Sequence, residues 1–269
     1  MTASWDSLYL PSADSDAVTA ALQRALTALG YTLFDPFAPI PGPAYPRAVR
    51  LFVAPADGGW VRVVGAADAR VLPALSAGRL CLSVALAGDT ARIATYLDGA
   101  QTDPADALRG YVRPGCDLAA ALRGDMPLPV EPDATPDLLR TLPDDVRPLA
   151  DQVNMTQAKS MLDRLSGGLL KRAGADANAE VAARALAGNA GPDWNSPGGL
   201  RVRALMSCIT VPPGWREPDF SALRDAYQLH LRRQRRPDAR LYPGDAEALA
   251  RVPAALDYTP VYAGLTTGD

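Results

Sequence analysis

The stretch LCLSVALAGDTARIATYL, residues 80–97, decides the fold class. Leu80, Leu82, Val84 and Leu86 alternate with Cys81, Ser83 and Ala85, and a period of two sends the two sets to opposite faces of a strand. Gly88 and Asp89 follow as turn residues, and residues 91–97 return as a second strand. The pair predicts an antiparallel hairpin with one face towards a core.

Working towards the N-terminus, residues 49–54 and 60–64 are rich in β-branched and aromatic side chains. Asp57, Gly58 and Gly59 between them supply the positive φ angles of a tight connection, so a second hairpin is expected. A proline series before it, Pro36, Pro39, Pro41, Pro43 and Pro46, lacks the amide donors of a helix or central strand and reads as a loop. Earlier still, Val18, Ala21, Leu22, Ala25, Leu26 and Leu29 recur at helical spacing behind the caps Asp14 and Ser15, with Gly30 closing the helix. Short strands are expected on either side, at residues 7–10 and 31–34. With short helical stretches at 104–109 and 117–123, residues 1–125 read as an α+β domain: an antiparallel sheet with a packed helix.

Residues 126–136, MPLPVEPDATP, hold four prolines and read as a semi-rigid linker. Beyond it the period changes to about 3.6, and residues 137–269 are expected to form a helical domain. Ala158, Met161, Leu162, Leu165 and Leu169 form one stripe; Val181, Ala182, Ala185 and Leu186 form another. Ser196-Pro197 opens a third helix carrying Val202, Leu205, Met206 and Ile209. Asp219 opens a fourth with Phe220, Leu223, Tyr227 and Leu231, and a fifth covers residues 245–251.

A net charge of −3 with 48% hydrophobic residues in 269 favours a folded chain over disorder. Three cysteines, far apart and odd in number, make a poor disulfide framework, and each reads as a buried small hydrophobe. The N-terminal residues reach acidic side chains before any cationic region or apolar run of signal length, so export is not expected, and no apolar run reaches the roughly 18 residues of a membrane span. A cytoplasmic location and no membrane partner are expected.

His230 is the only histidine. Multi-histidine zinc sites are thereby excluded, as is a Ser or Cys hydrolase unless His230 itself is the base; its place at the edge of an apolar arc favours packing. No CxxC, Gly-x-Ser-x-Gly, GxGxxG or Walker loop occurs, and Gly167-Gly168 lacks the ending of one. No cofactor or metal is expected. Asp144 with Asp145, and the carboxylates along 98–106, read as solvated or capping groups. Asp193-Trp194-Asn195-Ser196, at a helix start, is a candidate ligand loop through the free first amides of that helix, set against a capped loop with Trp194 packed as a staple.

Residues 155–240 hold 14 Lys and Arg against 8 Asp and Glu. Arg232, Arg233, Arg235 and Arg236 spread over the polar arc of the fourth helix, and Arg201 and Arg203 lie on the third. Such a set suits phosphate groups or a solvated, protein-facing surface. Three functions follow: a non-catalytic protein-interaction or scaffold protein, a nucleic-acid or other polyanion binder using these six arginines, and an enzyme of unfamiliar type using carboxylates and arginines around Asp193 and Asn195.

Overall fold

The computed structural model describes residues 4–38, 45–128, 192–238, 240–242 and 244–266. Eight strands among them form one antiparallel sheet: β1 (Ser4–Pro11), β2 (Thr32–Phe34), β3 (Arg47–Val53), β4 (Trp60–Val64), β5 (Leu80–Ala87), β6 (Thr90–Leu97), β7 (Ala100–Thr102) and β8 (Thr259–Leu265). Their order is β2-β8-β3-β4-β1-β5-β6-β7. Both expected hairpins are present, and β1 joins them, pairing Ser7 with Val64 of β4 on one side and with Val84 of β5 on the other.

The helices are α1 (Ser15–Ala28), α2 (Leu72–Leu75), α3 (Pro104–Ala107), α4 (Leu118–Arg123), α5 (Pro197–Cys208), α6 (Phe220–Arg235) and α7 (Asp245–Arg251). Asp14 caps α1 by accepting from the Ala17 amide, Ser196 caps α5 by accepting from Gly199, and Asp219 caps α6 by accepting from Ala222.

Alternation along the strands divides the core in two. On one face Leu8, Leu10, Leu51, Val53, Val61, Val63, Val261 and Ala263 meet Val18, Leu22 and Leu26 of α1 and Leu72 and Leu75 of α2. On the other face Trp5, Tyr9, Trp60, Leu80 and Leu82 meet Val202, Leu205 and Met206 of α5. Phe52, Val64 and Tyr262 of the same face meet Leu223 and Ala226 of α6. Fully burying each such side chain is worth about 1.5–3 kcal/mol.

The α+β class holds, but the described residues beyond the linker differ from the expected separate domain. Residues 192–266 pack with residues 4–128 as one compact unit. Strand β8 comes from that part of the chain and inserts between β2 and β3, pairing Leu33 with Ala263 and Leu51 with Val261. Physically, α5 and α6 have one apolar face each and the sheet offers the surface that buries both. Residues 129–136 of the linker and the stripes at 158–169 and 181–186 lie outside the described residues.

The centre of the second face is polar. Arg62 of β4, 8% exposed, donates from Nε to Ser7 Oγ (3.0 Å), from Nη1 to the Glu217 carbonyl (2.8 Å) and from Nη2 to the Arg216 carbonyl (3.0 Å). Trp5 Nε1 donates to the Arg216 carbonyl and Tyr9 OH to that of Trp215, and burial pushes the Tyr9 hydroxyl up to about 12. The segment between α5 and α6 is therefore pinned across the sheet by side chains of β1 and β4. Arg62→Met removes the donors to the Glu217 carbonyl and to Ser7 Oγ, leaving the Arg216 carbonyl to Trp5 alone, and should cost about 2–4 kcal/mol. A thermal melt should fall by about 5–15 °C, against less than about 2 °C for the exposed Arg109→Ala; equal shifts would show that the pin is not structural.

Candidate interaction surface

The loop before α5 is consumed by packing. Asp193 Oδ1 accepts from the Asn195 and Ser196 amides, and the Asp193 amide donates to the Gly88 carbonyl in the β5–β6 turn. Trp194 forms a triangle with Trp5 and Trp215, ring centroids 5.2 and 5.6 Å away, and the Arg216 guanidinium lies 4.9 Å from its centroid. Of the first amides of α5, Gly198 donates to the Asp89 carbonyl and Gly199 to Ser196 Oγ. The packed alternative for Asp193, Trp194, Asn195 and Ser196 thus accounts for the geometry, because the donors an anion needs are bonded within the chain.

The six arginines divide between two helices on different halves of the sheet. Arg201 Nε donates to the Leu122 carbonyl at the end of α4, and Arg203, 8% exposed, reaches Asn195 Oδ1 at 3.3 Å. Arg232 pairs with Asp245 of α7 and lies 5.6 Å from the Tyr242 ring centroid, while Arg235 Nη2 donates to the Phe37 carbonyl at 2.8 Å. Arg233 and Arg236 are exposed.

His230 is half-buried, its Nε2 3.2 Å from the Val252 carbonyl. Among the carboxylates, Asp98 accepts from the Gly78 amide, Asp103 caps α3 and Asp106 pairs with Arg109. Asp68 is bridged by Arg70 and accepts from Tyr31 OH at 2.7 Å; the Arg70 hydrogen bonds hold its carboxyl far below the usual carboxylate range. Asp144, Asp145 and the Gly167-Gly168 pair lie outside the described residues. Among the described residues no group of three or more His, Cys, Asp or Glu is placed to hold a metal ion, and no helix is long and apolar enough to cross a membrane.

Two of the cysteines are not free. Cys116 and Cys208 are disulfide-bonded, Cα to Cα 5.5 Å, across 92 residues of sequence, whereas Cys81 is free and buried, with burial pushing its thiol up to about 12. The reading as three separate small hydrophobes fails because the pairing depends on α4 and α5 packing together, a contact that no local spacing announces.

One surface combines a recess with exposed apolar side chains, and it arises where the β2–β8 ladder stops. The register pairing Phe34 with Tyr262 would set Pro36 opposite Pro260 two residues further, and neither proline has an N–H to donate. A cleft of about 320 Å³ opens there, lined by Gln23, Leu33, Asp35, Pro36, Pro260 and Tyr262 among others. Leu33 is 41% exposed on the edge strand. Arg235 links the adjoining 35–38 turn to the end of α6, and Arg232 links α6 to Tyr242, which is 64% exposed beside the exposed Leu241. Among the described residues, the buried side-chain polar atoms without a hydrogen-bond partner are Arg232 Nε and Tyr262 OH, the first at the end of α6 and the second in the lining of the cleft. Residue types alone did not single out this surface, because Leu33 reads as an ordinary strand residue.

The packing reading of the 193–199 segment has a direct check. A Cβ on Gly198 would sit 2.1 Å from the Asp89 carbonyl oxygen, whereas one on Gly214 meets nothing within 4 Å. Gly198→Ala should therefore lose about 2–3 kcal/mol in urea unfolding and Gly214→Ala about nothing; a neutral Gly198→Ala would reopen the ligand-loop reading. Compared with protein-family models, curated proteins and solved structures, the chain matches none of them.

Proposed function

We propose that this chain is a non-catalytic protein-interaction or scaffold protein of the cytoplasm, and that it meets its partner at the β2 end of the sheet. The observation that carries the reading is the exposed Leu33 in the lining of the cleft, with the exposed Tyr242 set against Arg232 at the end of α6 and Arg235 tying that end to the 35–38 turn. Apolar and tyrosyl anchors with arginines at the rim are the composition of protein interfaces, where a few residues carry most of the binding energy. Open backbone at a short edge strand adds hydrogen-bonding capacity for an extended segment.

The test is binding of a partner recovered with the full chain by crosslinking, measured for Leu33→Arg and Tyr242→Ala. Each should weaken binding by about tenfold or more with an unchanged melting curve. Leu97→Arg, on the opposite side of the sheet order, should leave it intact. Loss with Leu97→Arg and not with the other two would move the site elsewhere.

A second reading is supported by Arg232, Arg233, Arg235 and Arg236 lying within the last turn of α6 and its cap. Phosphate recognition there predicts binding to DNA or RNA that weakens steeply as salt rises, and charge reversal at Arg233 and Arg236 should flatten the slope. Affinity that is absent at low salt, or insensitive to salt, ends this reading. The enzymatic alternative draws little support, since Asp193 and Asn195 are engaged in the capped loop.

A further inference from the structure

The Cys116–Cys208 bond joins two segments that are already held together without it. The Arg113 amide donates to the Cys208 carbonyl at 2.8 Å and the Thr210 amide to the Tyr111 carbonyl at 2.9 Å. Arg113 Nε and Nη2 donate to the carbonyls of Ile209 (2.7 Å) and Val211 (2.8 Å). None of these hydrogen bonds involves either sulfur. The two sulfurs also differ in access: Cys208 is fully buried at the end of α5, whereas Cys116, in the turn before α4, is half-exposed. Around Cys208 a small apolar cluster gathers Ala121 of α4, Ala204 of α5, Met126 and Leu128.

We propose that Cys116 is a reversible thiolation site, and that the disulfide opens and closes by exchange with a small monothiol without unfolding the sheet. A thiolate attacks Cys116 Sγ, the S–S bond to Cys208 breaks, and the electron pair leaves on Cys208 Sγ, which takes a proton from solvent. The product is a mixed disulfide between the small thiol and Cys116. A second thiolate attacks the outer sulfur of that mixed disulfide and releases Cys116 as its thiolate, so two thiols are oxidised to one disulfide while the protein's bond is reduced. Access selects Cys116 as the point of entry, because attack on Cys208 requires α5 to move. The consequence is local: with the bridge open, α4 and residues 124–128 keep to α5 the small apolar cluster, the packing of Leu118 and Leu122 beside Val202 and Leu205, and the Arg201 bond to Leu122, but no covalent tie.

The full chain, equilibrated in a series of glutathione redox buffers, is alkylated before and after denaturation and mapped by mass spectrometry. Expected are a reversible transition confined to Cys116 and Cys208, a single cooperative melt lowered by about 5–15 °C on reduction, and faster amide exchange in residues 114–128 but not in β1, β4 or β5. In Cys208→Ser, oxidised glutathione should leave one adduct on Cys116 and none on Cys81. The Cys116→Ser/Cys208→Ser double variant should fold and melt as the reduced protein does, which separates loss of the bond from loss of the fold. A bond that resists reductant until the whole chain unfolds, a reduced protein that does not fold, or adducts on Cys81 would each overturn the proposal.

Discussion

A single guanidinium sets the terms on which the second face of the sheet is built. Arg62 stands between the α5 core and the α6 core, on a strand whose neighbouring outward positions are Trp60 and Val64. A buried cation is expensive unless its donors are met, and here Ser7 and the carbonyls of residues 216 and 217 meet them while Trp5 offers its ring face at 5.5 Å. Those carbonyls belong to the connection between α5 and α6. The desolvation of one side chain thus dictates where the connection crosses the sheet, and with it which half each helix covers. Tyr9 and Trp5 reinforce the same crossing from β1, so the constraint is shared by three side chains from two adjacent strands.

Much of the sheet was legible because period-two alternation is a local signal. The 80–97 and 49–64 hairpins, β1, and α1 with its Asp14 cap are each written in a dozen residues or so. What escaped was non-local. Strand β8 carries Pro260 and Gly264, both poor strand formers, and its place follows from the uncovered edge of β3 more than from its own propensity. The helices of residues 197–235 were read as helices correctly, but their amphipathic faces do not say what they pack against. The sheet and a helical neighbour satisfy the same pattern equally well.

The candidate sites fared according to how many partners each side chain finds. Arg201, Arg203, Asp193 and Ser196 looked available in sequence because free donors and acceptors cannot be told from bonded ones without the fold. Arg233 and Arg236 kept their exposure. The surface at the end of β2 had no sequence signature, since it depends on two prolines more than 200 residues apart falling into register. The disulfide has the same character: 92 residues separate its cysteines, and only the packing of α4 on α5 brings them together.

Strand β8 also has a bearing on when the molecule can assemble. It lies second in the sheet, so β2 has no neighbour to pair with, and β3 keeps one bare edge, until residues 259–265 have left the ribosome. Closing that gap joins positions more than 200 residues apart, the kind of pairing that slows folding and prolongs the exposure of unpaired strands. During synthesis the strands from β3 to β7 can pair through their own hairpins and β1, while β2 waits for β8. A nascent chain of this protein therefore passes through a stage in which β2 stands without its partner and the outer edge of β3 lies open as a template for other strands.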